Sequence, residues 1–128
     1  MTPEAERFLA KAGECLRDAR IFLPLVPRVA GREAYLAAFH AAQAVIHERT
    51  GQVAKTHRGV RAGFLMLTRD SATIDPELRE FLGRAYELKS RSDYGTGEEA
   101  AVSVVTAAAA VAMVERFIQS VQVVLASS

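Results

Sequence analysis

The chain has 128 residues, of which 50% are hydrophobic, and its formal net charge is +1. This length predicts a single domain over residues 1–128, with a core large enough to need no cross-link. The near-neutral charge neither favours nor excludes a nucleic-acid partner, and one cysteine excludes a disulfide-rich scaffold.

Cys15 is the only cysteine, so no internal disulfide can form, as is typical of proteins from a reducing compartment. Its neighbours predict a small buried residue on a helix. The first residues lack the charged-then-apolar order of a signal peptide. The longest uncharged stretch, residues 100–114, is shorter than a bilayer span requires. We therefore expect a cytoplasmic protein with no membrane partner.

The first two of five predicted helices are marked by proline and glycine. Thr2 and Pro3 supply a cap and a first residue for one helix, which Pro24 ends. The second is predicted from about Ala30 to Arg49, and Gly51 is the expected C-terminal glycine.

The remaining helices complete an all-α prediction, an up-and-down bundle of four to five helices. Thr56 is expected to cap the third helix and Asp75 the fourth. The residues predicted to face inward on the fourth are Leu78, Phe81, Leu82, Ala85 and Leu88. Residues 96–99 read as a capping box that opens the last helix. Because this helix is uncharged over residues 100–114, we expect it to be the central one and part of a dimer contact.

The charges are unevenly distributed along the chain. Residues 49–69 contain cations and no carboxylate, whereas residues 70–99 are rich in carboxylates. The cations of the first segment are Arg49, Lys55, Arg58, Arg61 and Arg69. This split predicts either an electropositive region or an ordinary solvated face.

The three histidines do not predict a metal site. His40 and His47 are seven residues apart on one helix, about 10 Å at 1.5 Å per residue, too far to share an ion. His40 is expected to be a core or interface histidine with a hydrogen-bond partner. His57 lies at a helix start, where it would either contact an anion or lie on the surface.

The segment from Leu88 to Gly95 holds the densest group of polar side chains. Lys89 and Asp93 are four residues apart and are expected to pair on one helix face. Arg91 and Tyr94 are three apart and form a candidate phosphate-contacting pair. The alternative is a salt-bridged helix end, with Tyr94 packed on a neighbouring helix.

Three segments, in this order, resemble the HEPN superfamily. They are residues 35–44 (YLAAFHAAQA), residues 56–59 (THRG) and residues 88–94 (LKSRSDY). The chain looks most like the branch with the motif Arg-x-x-x-Asp-Tyr, in which Lys89 here takes the place of the arginine. The resemblance covers about residues 4–125.

This resemblance implies an all-α bundle, usually a homodimer, often encoded beside a minimal nucleotidyltransferase. Many relatives are metal-independent ribonucleases, several of them toxins, whose signature is an arginine followed after four to six residues by a histidine. No histidine follows His57 in this chain. Cleavage would therefore depend on the candidate catalytic residues, which are Lys89, Arg91, Asp93 and Tyr94.

The sequence therefore favours a nucleotide- or RNA-binding or partner-binding domain, as one half of a toxin–antitoxin-like pair with a nucleotidyltransferase. The expected phosphate contacts are Lys89, Arg91, His57 and Arg58, with Asp93 orienting Lys89, and no metal or other cofactor is expected. Tyr94 is also a candidate target of nucleotidyl transfer. The alternatives are a metal-independent ribonuclease with a non-standard site and a purely structural dimerisation module.

Overall fold

The computed structural model describes residues 1–127, including their side chains except those of residues 99 and 100. Over this range the chain forms five α-helices and one 3-10 turn, with no strand. The helices are α1 (Pro3–Phe22), α2 (Pro27–Thr50), α3 (His57–Thr68), α4 (Pro76–Tyr94) and α5 (Val104–Ala126). The all-α prediction is confirmed.

Capping side chains start three of these helices. The hydroxyl oxygens of Thr2, Thr56 and Ser103 each accept a hydrogen bond of 3.0 Å from a backbone N–H three residues later. These bonds satisfy donors that an α-helix leaves free in its first turn. At the other end of α2, Gly51 has φ +72° and ends the helix in the left-handed conformation that glycine adopts readily.

The second helix is the central element of the bundle, because it contacts each of the other four α-helices. Alanines with no exposed surface line it, and their small side chains let neighbouring helices approach closely. They are Ala30, Ala34, Ala37, Ala38, Ala41, Ala42 and Ala44. The helix begins at Pro27, three residues before the predicted start, because a proline is well suited to the first helical position.

The core is completed by α3, α4 and α5. All five residues predicted to face inward on α4 are buried. The ring of Phe64 on α3 stacks on that of Phe117 on α5, with 5.0 Å between centroids. Phe81 on α4 also meets the ring of Phe117, with 6.3 Å between centroids, and α3 contacts α4 directly. The polar residues of the candidate site lie along that side of the bundle.

Two predictions about the last helix are wrong. Thr96 forms no capping bond, and α5 begins at Val104 after its cap Ser103. Gly97 has φ +58° and opens a single 3-10 turn, which interrupts the chain before the helix; the Glu99 side chain lies outside the described residues. The last helix is not central either, since Val104 and Val105 are 53% and 80% exposed.

By length and composition, α5 is apolar enough to cross a membrane, with a mean hydropathy of 1.5 over its most apolar window. Its inner face nevertheless supplies the buried core residues Val114, Phe117 and Val121. Near its midpoint, Glu115 pairs with Arg20 of α1, and Arg116 pairs with carboxylates at the start of α4. Charges at the middle of a span are costly, so these features favour a bundle helix.

Candidate functional site

At the C-terminal end of α4, one carboxylate, that of Asp93, pairs with two cations, one on α4 and one on α2. Asp93 Oδ2 lies 2.9 Å from Lys89 Nζ, and Asp93 Oδ1 accepts a hydrogen bond of 2.8 Å from Arg32 Nε on α2. The predicted pairing of Lys89 with Asp93 is thus confirmed, and Arg32 is a partner that the sequence did not indicate. Arg32 also contacts Glu33 at 3.1 Å.

These contacts set the ionisation of both α4 groups. Burial alone would raise the pKa of Asp93, but the bonds from Lys89 and Arg32 outweigh it and lower that pKa. The bond to Asp93 raises the pKa of Lys89. At neutral pH the site therefore contains an ammonium and a guanidinium that share the Asp93 carboxylate, and Glu33 is a second carboxylate partner of the guanidinium.

Three aromatic rings from three helices meet beside this charged group. The imidazole of His57, at the start of α3, stacks on the ring of Tyr86 on α4, with 3.9 Å between centroids. The hydroxyl of Tyr35 on α2 lies 2.9 Å from His57 Nδ1, and its ring meets Tyr86 edge-on. His57 is therefore not a surface side chain but part of a packed cluster.

This packing favours the uncharged forms of the cluster. Burial lowers the pKa of His57, and the nearby Arg61 guanidinium lowers it further. Burial also raises the pKa of Tyr35 well above its ordinary value, and Tyr86 adds to this shift. At neutral pH a neutral imidazole therefore faces a protonated phenol.

A cleft of about 230 Å³, here called the Lys89 cleft, opens between the aromatic cluster and the charged group at the end of α4. It is lined by Tyr35, Leu36, Phe39, Lys55, His57, Tyr86 and Lys89. Lys55 belongs to the loop before α3 and forms no ion pair with any described side chain. The cleft thus combines two ammonium groups with aromatic walls and one imidazole.

The other predicted site residues lie outside this cleft. Arg91 and Tyr94 share a surface pocket of about 240 Å³ with Ser90 and Gly95, and Tyr94 is 75% exposed. Lys89 Nζ lies 5.1 Å from the centroid of the Tyr94 ring, so Tyr94 stands between the pocket and the cleft. Lys89 and Arg91 therefore line different cavities, and Arg58 is exposed on α3 without lining the cleft.

The other two histidines form ordinary hydrogen bonds. His40 Nδ1 lies 2.7 Å from Gln43 Oε1, as expected for a histidine with a core partner, and His47 Nδ1 lies 3.1 Å from Thr2 Oγ1. Burial lowers the pKa of His40. Among the described residues, no group of three histidine, cysteine or carboxylate side chains is arranged to hold a metal ion.

Sequence reasoning missed Tyr35, Tyr86, Lys55 and Arg32 as members of the site. Tyr35 lies in the first of the three segments that resemble the family, and its hydroxyl was given no role. Tyr86 lies one helical turn before Lys89, and this spacing was the one available signal. Nothing in the sequence indicated that Lys55 and Arg32 would reach the same region.

The fold and site define an all-α bundle with a basic, aromatic cleft between its second, third and fourth helices. The family model of the HEPN domain matches residues 4–124, so the chain belongs to the HEPN family. No curated protein matches the chain significantly. Membership of this family supports, in general terms, a role connected with nucleotides or RNA, or a toxin–antitoxin-like role.

Proposed function

We propose that this HEPN domain binds the phosphate of a nucleotide or RNA in the Lys89 cleft. The observation that carries the proposal is the convergence of Lys55 and His57, at the start of α3, and Lys89, on α4, on one cavity. Ammonium groups attract phosphate, and aromatic side chains are the usual partners of unstacked bases in RNA recognition.

Each residue has a distinct role in this proposal. Lys89 contacts phosphate, and Asp93 with Arg32 fixes the position of its ammonium group. Lys55 is the more mobile contact, since it is exposed and no described carboxylate holds it. Arg58 and Arg91, which lie outside the cleft, contribute only to the general attraction of a polyanion.

A metal-independent ribonuclease is the second candidate, and one observation favours it. The fold places His57 in the cleft of Lys89, although it precedes Lys89 by 32 positions in the sequence. A neutral histidine beside a cation suits acid–base catalysis. The imidazole takes the proton of the 2′-hydroxyl as that oxygen attacks phosphorus, the P–O5′ bond breaks, and the imidazolium returns the proton to the departing 5′-oxygen, while the ammonium stabilises the phosphate. This role falls to His57 rather than to Asp93 or Tyr94.

The two candidates are separated by measuring binding and cleavage of end-labelled RNA without metal. Lys89→Met keeps the length of the side chain and removes its charge, and His57→Asn removes the titratable ring. Lys11→Met, on the exposed face of α1, is the matched control for lost charge. A binding domain loses affinity with Lys89→Met and leaves the RNA intact throughout.

A ribonuclease instead cleaves RNA as wild type and stops cleaving with His57→Asn while still binding it. If folded wild-type protein neither binds nor cleaves RNA or nucleotides, both candidates are wrong. The domain would then be the purely structural dimerisation module that the sequence also allowed.

We also propose that the protein is a cytoplasmic homodimer whose contact includes the outer face of α5. Exposed Val104 and Val105 support this, because exposed apolar side chains on one helix are typical of contact surfaces. Val105→Glu should convert a dimer to a monomer in size-exclusion chromatography with light scattering. Ala72→Glu, in the loop before α4, should not, and a wild-type monomer would contradict the proposal.

The remaining partner is a minimal nucleotidyltransferase, in a toxin–antitoxin-like pair. Tyr94 supports this part, since a phenol that is 75% exposed is accessible to nucleotidyl transfer. Mass spectrometry after incubation with such an enzyme and ATP should show one added nucleotidyl group at Tyr94. Tyr94→Phe should abolish it, and modification elsewhere would contradict the assignment.

A further inference from the structure

A second polar cavity, of about 320 Å³, lies between α3 and α4 on the far side of His57. It is lined by His57, Arg61, Glu80, Gly83, Arg84 and Glu87, and is called the Arg61 cavity here. The functional proposal above uses only His57 of this group. The two guanidinium groups and two carboxylates balance in charge, so the cavity differs from the lysine-lined cleft beside it.

This balance makes the cavity a poor site for phosphate. An anion would be attracted by Arg61 and Arg84 but repelled by Glu80 and Glu87. A planar, uncharged group that carries both donors and acceptors matches such a lining, because each carboxylate then accepts a hydrogen bond and each guanidinium donates one.

The position of the Arg61 side chain depends on there being a glycine, Gly83, opposite it on α4. A Cβ atom on Gly83 would lie 3.0 Å from Arg61 Nε and 3.4 Å from both Cζ and Nη2. The guanidinium therefore rests against the α4 backbone where only glycine leaves room for it. Gly83 thus holds an arginine at the wall of the cavity.

Arg61 also has donors that the protein does not satisfy. Its Nε is buried and has no hydrogen-bond partner among the described residues, and its Nη2 is 3.8 Å from Glu80 Oε2, too far for a hydrogen bond. Arg84, by contrast, donates a hydrogen bond of 3.1 Å to the Glu77 carbonyl oxygen. The Nε is closed off against α4, so the groups available to a ligand are the outer nitrogens of the Arg61 guanidinium and the two carboxylates.

We propose that the Arg61 cavity binds a nucleobase, with guanine preferred, of the RNA whose phosphate occupies the Lys89 cleft. Guanine presents two adjacent acceptors, which suit a guanidinium, and two adjacent N–H donors, which suit a carboxylate. His57 lines both cavities, so the base and the phosphate lie on either side of one imidazole. This inference rests on the function proposed above.

The test compares the affinities of short oligonucleotides that differ in one base. Fluorescence anisotropy at fixed salt is measured with 2′-O-methyl UUGUU, UUAUU, UUCUU and UUUUU, in which cleavage is blocked. The guanine oligonucleotide should bind about 10-fold more tightly than the others, as expected for one good bidentate contact.

Three variants test whether the preference for guanine arises in the Arg61 cavity. Glu80→Gln combined with Glu87→Gln should abolish it while leaving or increasing affinity for UUUUU, because the surface becomes more positive. Gly83→Ala should also abolish it by displacing Arg61, with helicity checked by circular dichroism. Glu77→Gln, on the same helix but paired with Arg116 outside the cavity, should keep it.

Different results would contradict base recognition in the Arg61 cavity and phosphate binding in the Lys89 cleft. Equal affinity for all four oligonucleotides, still dependent on Lys89, would overturn base recognition and leave phosphate binding intact. A guanine preference that survives in both the double glutamine variant and Gly83→Ala would show that the base is read elsewhere. No binding of any oligonucleotide would overturn both.

Discussion

Asp93→Asn tests whether one carboxylate organises the basic side of the Lys89 cleft. Asparagine has nearly the same shape as aspartate but no charge, so it weakens the contacts to both Lys89 and Arg32. In the wild type these contacts measure 2.9 Å and 2.8 Å. The substitution should lower stability and also leave two cations without their shared counter-ion.

The expected loss of stability follows from how far the three charged side chains are exposed to solvent. The side chains of Asp93, Lys89 and Arg32 are 23%, 21% and 35% exposed, so solvent screens them only partly. Exposed ion pairs contribute about 0.2–1 kcal/mol each, so two partly screened pairs should contribute about 1–2 kcal/mol together. For a domain of this size, that corresponds to a fall in Tm of about 3–8 °C.

The pH dependence has a definite sign. Because the folded-state pKa of Asp93 is lowered, its stabilising contribution is present above the unfolded pKa, about 3.9, and is lost as pH falls through the folded value. The Tm difference between wild type and Asp93→Asn should therefore be full at pH 7 and shrink below about pH 4.

Thermal unfolding followed by circular dichroism at several pH values measures this difference. Asp70→Asn is the matched control, since Asp70 is 93% exposed and its carboxylate lies 3.7 Å from the Arg69 guanidinium, an exposed ion pair; the Tm of this variant should match that of wild type. An Asp93→Asn Tm equal to that of wild type at pH 7, or a difference independent of pH, would refute the reasoning.

Two further predictions concern ionisation. In an NMR titration, His57 should titrate below about 6.5, because burial and Arg61 lower its pKa, and Tyr86→Leu should move it back upward; an unshifted wild-type value would contradict the stacked geometry. Burial, with Glu33 nearby, raises the pKa of the Cys15 thiol to about 11. Because the thiolate is the reactive form, Ellman's reagent at pH 8 should react about 100-fold more slowly with native protein than with urea-unfolded protein. Equal rates would show that the thiol is accessible.

The sequence predicted correctly those features that depend on residues within one helical turn of each other. The starts of α1, α3 and α4 and the C-terminal glycine of α2 were predicted correctly, because caps, prolines and glycines act within one turn. Asp75 occupies the N-cap position of α4, but its predicted capping bond does not form, since its carboxylate pairs with Arg116 instead. The Lys89–Asp93 pair was predictable for the same reason, since its partners are one helical turn apart.

The errors arose where two signals competed. Residues 96–99 matched a capping box, but Gly97 at φ +58° and the hydroxyl of Ser103 moved the helix start to Val104. An uncharged helix was expected to be central, yet α2 took that position because its alanines allow close packing on every side. Neither outcome follows from hydrophobicity alone.

The sequence by itself determined the all-α class, most helix boundaries and the polar group at the end of α4, because each depends on residues within a few positions. Only the tertiary structure decided that Lys55, His57 and Lys89 line one cleft while Arg91 lines another pocket. The directions in which side chains of separate helices point depend on how those helices pack. Lys89 and Arg91, two residues apart on α4, are separated by about 200° around its axis and so lie on different faces.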